Sequence, residues 1–242
     1  MVSPQRLVWT GMAALAVTGA GAGRADAGAP RVAKPRHGLE ISYNIAVMSD
    51  YRRGGVSRSG GKPAAEGGVD IKGPDGWSGG ASASTIEKRR GATSEVEVFA
   101  AKRIKVGANE FAVGATVVVF PGGDDSDFGF AQASVSRAIG PVDATLSVKY
   151  AWEQPNLGDE DNTIVSLRVR TPVGRLIGIP ITMGASIGRT EGRFAIEGTK
   201  VDWSWSLTAD VKGVDVGVTY SDTDLDDRRG DPAWAISVVR NF

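Results

Sequence analysis

The feature that most constrains the fold is an apolar residue at every second position, repeated in about a dozen segments along the chain. In the clearest segment, Val142, Leu146 and Tyr150 alternate with the charged residues Asp143 and Lys149. Such a period of two is typical of β-strands that have one apolar and one polar face. The sequence therefore predicts an all-β protein of about twelve strands, the last of which ends at the final residue.

The connections between these segments alternate between long and short. The long connections comprise residues 49–62, 86–93, 121–127, 154–162, 189–199 and 221–232. The short ones comprise residues 73–76, 106–108, 140–141 and 212–213, and residues 171–178 are an exception of medium length. Outer-membrane β-barrels have short periplasmic turns, long external loops and an even number of strands. We therefore predict a closed antiparallel transmembrane β-barrel of about twelve strands.

A soluble secreted β-sandwich or barrel is the alternative, because its strands alternate in the same way. Two features favour the membrane. No segment after residue 27 approaches the roughly 20 apolar residues of a membrane helix, so spanning a membrane would require strands closed into a barrel. In addition, several aromatic residues fall near strand ends on the apolar faces, as an interfacial girdle requires. These residues are Tyr43, Trp77, Tyr150, Trp152, Trp203, Trp205, Tyr220 and Trp234.

The N-terminal residues have the organisation of a secretory signal peptide. A basic start up to Arg6 precedes an apolar stretch from Leu7 to Ala22, and an A-x-A cleavage site ends at Ala27. An N-terminal anchor helix is the alternative. We predict a signal peptide over residues 1–27, a flexible periplasmic tail over residues 28–38 and a barrel over residues 39–242. Export of such a barrel predicts a location in the outer membrane of a Gram-negative bacterium.

The composition excludes several classes of function. There is no cysteine, so neither a disulfide framework nor a thiolate metal site can form. The 28 basic and 28 acidic side chains balance, without the basic excess of a nucleic-acid binder. The single histidine, His37, precedes the first strand, far from the loop face, so the usual nucleophile–base pairs cannot be assembled. We therefore predict no catalytic residues, no cofactor and no metal.

Two acidic patterns suggest alternatives. Glu95 and Glu97 share one strand face about 7 Å apart, and a pair of carboxylates can hydrolyse a glycoside. Alternating residues of any strand have that spacing, however. The loop from Asp222 to Asp226 has the D-x-D-x-D spacing of a calcium loop. Asp227 stands where that loop requires glycine, and no glutamate closes it, so a solvated acidic loop is expected.

The polar faces of the predicted strands carry much of the charge. The residues assigned to the pore lining are Glu66, Asp70, Lys72, Glu95, Glu97, Asp143, Lys149, Glu153, Arg168, Arg170 and Asp202. An arginine or lysine facing lipid at mid-depth would cost about 2–4 kcal/mol, so this face must be wet or paired.

Two interpretations of the lumen follow. The charges line a narrow channel with opposed acidic and basic sides, or they pair across the interior and fill it. About eight strands leave room for side chains only, and 16–18 leave an aqueous pore, so twelve strands do not decide between them. Small inward residues such as Ser82, Ser147 and Ser204 leave space and favour the channel.

The segment after the first strand contains a motif with relatives. Residues 49–58 are SDYRRGGVSR, and residues 63–70 are PAAEGGVD. The motif residues are Ser49, Asp50, Tyr51, Gly55, Ser57 and Pro63. The segment resembles the first loop of the TorF-like family of proteobacterial outer-membrane proteins assigned as porins, which follows S-D-Y-x-F-R-G-x-S-Q and then P-A-x-Q-G-x-x-D. The sequence departs from that pattern at Arg53, Gly54, Arg58 and Glu66.

The resemblance implies a barrel in the outer membrane that acts as a diffusion pore. We therefore predict a porin-like channel for passive diffusion of small hydrophilic solutes through a narrow lumen of mixed charge. Its expected partners are outer-membrane lipid, lipopolysaccharide and, through the C-terminal Phe242, the barrel-assembly machinery. Nucleic acid is not expected. The alternative is a closed structural barrel whose external loops bind a partner or lipopolysaccharide.

Overall fold

The computed structural model describes residues 38–124, 126–195 and 198–242. The strands are β1 (Glu40–Met48), β2 (Arg52–Arg53), β3 (Val56–Ser57), β4 (Ala64–Lys72), β5 (Trp77–Arg89), β6 (Ala92–Val106), β7 (Asn109–Val119), β8 (Phe128–Ile139), β9 (Val142–Ala151), β10 (Asn162–Leu176), β11 (Ile179–Glu191), β12 (Thr199–Val211), β13 (Val214–Thr223) and β14 (Ala233–Asn241). Short 3-10 turns occur at Pro74–Gly76, Pro155–Leu157 and Arg193–Ala195. The predicted signal peptide and the tail up to His37 lie outside the described residues. No helix in the described ranges is long and apolar enough to cross a membrane.

Twelve of these strands form a closed antiparallel barrel, and β2 and β3 form a separate two-stranded hairpin. The order around the barrel is the order in the chain, and β1 closes the cylinder by pairing with β14. At this seam the N–H of Phe242 donates to the carbonyl oxygen of Tyr43 at 2.9 Å, and the N–H of Tyr43 donates in return at 3.3 Å. Closure leaves the barrel without an unpaired strand edge. The predicted fold class is confirmed.

The two ends of the barrel differ as the sequence predicts. The end at which β1 begins and β14 finishes, here called the turn end, has tight connections at residues 73–76, 107–108, 140–141, 177–178 and 212–213. The opposite end, here called the loop end, carries the longer connections. The medium-length exception at residues 171–178 disappears, because β10 continues to Leu176 and a two-residue turn follows.

The predicted long connection at residues 86–93 is wrong. Strand β5 continues through Arg89, β6 begins at Ala92, and only Arg90 and Gly91 lie between them, both with positive φ. The register shifts between Thr85 and Arg89. The alternation breaks at this irregularity and the last residues of β5 are charged, so the sequence pattern concealed the end of the strand.

The outer surface of the barrel is apolar. Ile45, Val113, Leu167 and Ile236 are among the large apolar side chains that are exposed on it. Such an exposed apolar surface far exceeds what a soluble monomer presents, and it suits lipid. Aromatic residues on this surface lie toward both ends. Those toward the turn end are Tyr43, Trp77, Phe111 and Phe242, and those toward the loop end are Tyr150, Trp152, Trp203, Trp205, Tyr220 and Trp234.

The inner surface is largely polar, and the direct strand partners fix which residues of β5 and β8 face it. In β5, Ser82 and Ser84 lie opposite Glu97 and Glu95, so they face the lumen. In β8, Gln132 lies opposite Lys149 and faces the lumen as well. The strands therefore separate an apolar exterior from an interior that is largely polar and holds two buried apolar clusters, one around Met48 and one around Phe130.

Candidate functional site

Most of the predicted pore-lining residues lie on the inner face, and acids and bases occupy different sides of it. Glu66, Glu95 and Glu97 lie on β4 and β6 and are here called the acidic wall. Lys149, Arg168 and Arg170 lie on β9 and β10, nearly opposite in the strand order, and are here called the basic wall. The remaining inner-face residues are Asp70, Lys72, Asp143 and Asp202.

Glu153 does not belong to the pore lining. Strand β9 ends at Ala151, and Glu153 is exposed in the loop that follows, where its backbone N–H donates to Asp161 at 2.9 Å. The alternating pattern of the sequence continues for two residues past the last ladder pair of β9, and that continuation caused the error.

The acidic wall is covered by the first loop, which folds into the lumen. Glu95 is only 1% exposed and accepts hydrogen bonds from the Tyr51 hydroxyl at 2.6 Å and from Arg58 at 2.6 Å. Arg53 lies 3.1 Å from Glu95 and forms a second ion pair with Glu97. The carboxylates of Glu95 and Glu97 are therefore neutralised by Arg53 and Arg58 of one loop.

The phenol of Tyr51 lies at the centre of this cluster and is completely buried. Burial raises the pKa of Tyr51 well above its ordinary value, and the nearby carboxylates add to the effect, although Arg53 opposes it. Burial alone would lower the pKa of Arg53, but the attractions of Glu97, Tyr51 and Glu95 together outweigh it and raise that pKa. Tyr51 is therefore a neutral hydrogen-bond donor, and Arg53 is a permanent cation.

The other residues of the first-loop motif hold this loop in shape. The Asp50 carboxylate accepts hydrogen bonds from Ser57 at 2.6 Å and Arg52 at 3.0 Å. Ser49 exchanges two hydrogen bonds of 2.9 Å with the backbone of Ile236. Pro63, the last motif residue, is exposed immediately before β4.

The tip of the hairpin (residues 52–57) reaches the opposite side of the barrel. The Nζ of Lys200 on β12 donates to the carbonyl oxygen of Gly54, and Arg52 Nε donates to Ser221 Oγ on β13 at 2.8 Å. Gly55 has φ +74°, and a Cβ there would lie 2.6 Å from the carbonyl oxygen of Asp222. The hairpin thus crosses the lumen near the loop end, from the acidic wall to β12 and β13.

Three of the four departures from the TorF-like pattern belong to this cluster. Arg53 and Arg58 are the cations of the ion pairs, and Glu66 accepts a hydrogen bond from Ser84 on the neighbouring strand at 3.0 Å. Three substitutions that carry charge therefore fall in one buried region. The sequence alone did not bring them together, because Glu95 lies 37 residues or more from both arginines.

A cavity of about 830 Å³ remains between the hairpin and the wall formed by β8–β13. Among the described residues, eleven of those that line it are cationic and three are acidic. The cations are Arg52, Arg53, Arg58, Lys88, Arg89, Arg90, Lys149, Arg168, Arg193, Lys200 and Arg229, and the acids are Glu87, Glu160 and Asp202. The hairpin therefore narrows the lumen without filling it.

Arg168 lies inside the barrel and is nevertheless exposed. Its side chain borders the cavity, so the lumen is open at the depth of Arg168. Lys149 and Arg170 each lie close enough to Arg168 to be repelled by its like charge. Lys149 also lies over the ring of Phe130, 4.9 Å from its centre. Lys149 and Arg168 of the basic wall thus place positive charge in contact with the cavity.

The two acidic patterns have other partners. Glu95 and Glu97 face the hairpin arginines and not an open cleft. Asp227 pairs with Arg229 at 2.8 Å, and hydrogen bonds from Arg229 lower the pKa of Asp227 to about 2. Within the described ranges, no group of three or more His, Cys, Asp or Glu residues could hold a metal ion.

The closed twelve-strand cylinder, its apolar exterior and its charged hollow interior define the class of the transmembrane β-barrels. Two solved porin structures share this architecture. The KdgM porin in complex with disordered oligogalacturonate superposes with a TM-score of 0.56 at 9% identity, over 84% of this chain and 98% of that chain. The NanC porin gives a TM-score of 0.55 at 12% identity, over 83% and 98%. At these identities the similarity concerns the fold alone.

The particular family follows from the sequence. A family model described as "Bacterial protein of unknown function (Gcw_chp)" matches residues 32–240, so the chain belongs to this family. No curated protein matches the chain in sequence. The likeness to the TorF-like family stays a prediction based on the first-loop motif.

Proposed function

We propose that the protein is a channel for passive diffusion of small hydrophilic solutes, and that it prefers anions. The observation that carries this proposal is the sign of the accessible charge. The acidic wall is at most 5% exposed, whereas the arginines that cover it, Arg53 and Arg58, are 27% and 22% exposed. A solute in the cavity thus meets positive charge on the hairpin as well as on the basic wall, which favours anions.

The apolar exterior and the signal-like N-terminus support a location in the outer membrane of a Gram-negative bacterium. In this arrangement residues 1–27 are removed, the tail up to residue 38 lies in the periplasm, and the loop end faces outward beside lipopolysaccharide. The C-terminal Phe242, which is exposed at the seam, serves as a contact for the barrel-assembly machinery. Passive diffusion through such a barrel needs neither a catalytic residue nor a cofactor.

The complex of the KdgM porin with oligogalacturonate, named above, agrees with this proposal. That protein combines a similar fold with an anionic sugar polymer. The similarity does not determine the solute of the present chain, and the proposal depends on the charges of its own lumen.

Single-channel recording in planar bilayers tests the proposal. We expect discrete conductance steps and, in a salt gradient, a reversal potential of the sign that anion preference requires. The double variant Lys149→Gln/Arg168→Gln should shift that potential toward the cation side, because two charges in contact with the cavity are lost. Purified barrels that insert and stay silent, or that prefer cations, would contradict the proposal.

The hairpin across the lumen favours a second candidate, a closed structural barrel whose external loops bind a partner or lipopolysaccharide. The cavity described above extends from the loop end to Arg168, and the second candidate requires that no solute continues past it. Swelling of proteoliposomes in small sugars separates the two functions, since only a channel produces swelling.

A further inference from the structure

One inclined row of side chains crosses the lumen wall along the cavity. Direct strand partners connect Ser136, Thr145, Arg168, Ser186, Ser204 and Ser221, one residue from each of the strands β8 to β13. Five of the six carry a hydroxyl group and the sixth is an arginine. This set is here called the hydroxyl row.

The row changes depth as it passes around the barrel. Ser136 lies three residues from the end of β8 at the turn end, whereas Ser221 lies two residues from the end of β13 at the loop end. Strands in a barrel are tilted to its axis, so residues that are direct partners climb from strand to strand. The hydroxyl row therefore forms a ramp between the two ends, and Arg168 lies near its middle.

The hydroxyl groups of the row are already arranged for hydrogen bonding. Ser136 and Thr145 are 2.9 Å apart, Ser186 and Ser204 are 2.7 Å apart, and Ser221 accepts a hydrogen bond from Arg52. A hydroxyl group can donate one hydrogen bond and accept two, so these pairs retain capacity for a solute. Four members of the row, from Arg168 to Ser221, line the cavity.

Arg168 is the charged member of the row. Its side chain forms no hydrogen bond or ion pair with any of the described residues, and the like charges of Lys149 and Arg170 lie nearby. A guanidinium in this position has five donors aimed at solvent, and neighbouring cations make the arrival of an anion favourable. Within the described ranges, the barrel thus supplies no acidic partner to the side chain of Arg168.

We infer that the hydroxyl row binds organic anions that carry several hydroxyl groups, such as sugar acids or sugar phosphates, with the anionic group at Arg168. This inference rests on the proposed function and names its solute class. The serine hydroxyls replace water around the solute's hydroxyl groups, and the arginine selects the charged solute from the neutral one. A simple inorganic anion would use Arg168 without the serines.

Isothermal titration calorimetry on the detergent-solubilised barrel tests this site independently of conduction. The ligands are glucuronate, glucose 6-phosphate, acetate and glucose. We expect saturable binding of glucuronate, glucose 6-phosphate or both, and much weaker binding of acetate and glucose. Whichever of the two anions binds more tightly identifies a carboxylate or a phosphate as the preferred group. Equal binding of glucuronate and acetate, or no binding by either hydroxylated anion, would overturn the inference.

Two matched variants assign the site to the row. Arg168→Gln should weaken binding of the hydroxylated anion about tenfold, since a charge-assisted hydrogen bond is lost. The control Arg189→Gln removes the same charge from the outer face of β11, and binding should stay unchanged. Unaltered affinity of Arg168→Gln would refute the assignment.

The serines have their own control. Ser186→Ala/Ser204→Ala should weaken binding of the hydroxylated anion about threefold or more and leave the acetate signal unchanged. Ser237→Ala changes a lumen-facing serine that is only 2% exposed and out of reach of a solute, so it should have no effect. Binding that persists in a barrel without conductance would support the site and refute the channel, so the two failures can be distinguished.

Discussion

The ion pairs at Glu95 predict how firmly the hairpin is held. Glu95→Gln keeps the shape of the side chain but removes the charge of a carboxylate that is 1% exposed. This carboxylate accepts hydrogen bonds from Tyr51 and Arg58 and forms an ion pair with Arg53. Loss of one partner from a buried ion pair costs about 3–5 kcal/mol. Arg53 keeps Glu97 as a partner and both arginines can regain some water, so we expect the lower end, about 3 kcal/mol. Because 1.4 kcal/mol is a factor of ten, the undocked hairpin should become roughly 100-fold more populated.

Limited trypsin digestion of the folded barrel measures this population, because the hairpin itself contains cleavable arginines. When opening is fast compared with cleavage, the cleavage rate follows the open fraction, so cuts after Arg53 and Arg58 should accelerate roughly 100-fold. The control is Glu191→Gln, which makes the same chemical change in an exposed pair with Arg189 that is worth about 0–1 kcal/mol. If Glu95→Gln accelerates these cuts no more than the control does, the reasoning about the buried ion pairs is wrong.

Three further predictions follow from the backbone and from the buried phenol. Gly55→Ala should expose the hairpin to trypsin much more than Gly61→Ala. Both positions have φ above +70°, but only at Gly55 does the new Cβ lie within 3 Å of backbone atoms. Equal effects of the two variants would attribute the change to φ alone. Ile177→Asn should raise the free energy of unfolding by about 1 kcal/mol, as measured by urea denaturation. Ile177 has φ 51° in a two-residue turn before Gly178, and asparagine is the preferred residue at that position of such a turn. An unchanged denaturation midpoint would speak against backbone strain at Ile177. The raised pKa of Tyr51 means that its phenol contributes stability below its ordinary pKa of about 10 and loses it as the pH rises further. Tyrosinate absorbance up to pH 12 should therefore be the same for wild type and Tyr51→Phe while folded, and should differ by one tyrosine after denaturation.

The strands were predictable because lipid outside and water inside impose opposite demands on successive residues. Val148 and Lys149 illustrate this rule, since the first is exposed on the outer surface and the second faces the cavity. The alternating pattern was a poor guide at strand ends, where a side chain does not face lipid or the lumen exclusively. Glu153 continued the pattern beyond β9, and residues 86–89 interrupted it within β5.

The site was less predictable than the fold. The first-loop motif was recognised, but its polar, glycine-rich sequence has no period that indicates the direction in which the loop folds. Glu95 lies on the inner face of β6, and its partners Tyr51, Arg53 and Arg58 come from a loop 37 to 44 residues away. Contacts of that kind depend on the closed barrel, which brings the loop over the acidic wall. The contribution of Lys200, which donates to the hairpin tip, was missed for the same reason.

The contacts of the hairpin also determine when it can take its place. It follows the first strand directly in the chain, but its tip contacts Lys200 on β12 and Ser221 on β13. These contacts can form only after β12 and β13 have joined the sheet. Docking of the hairpin is therefore a late step of folding, and it rests on strands that are already paired.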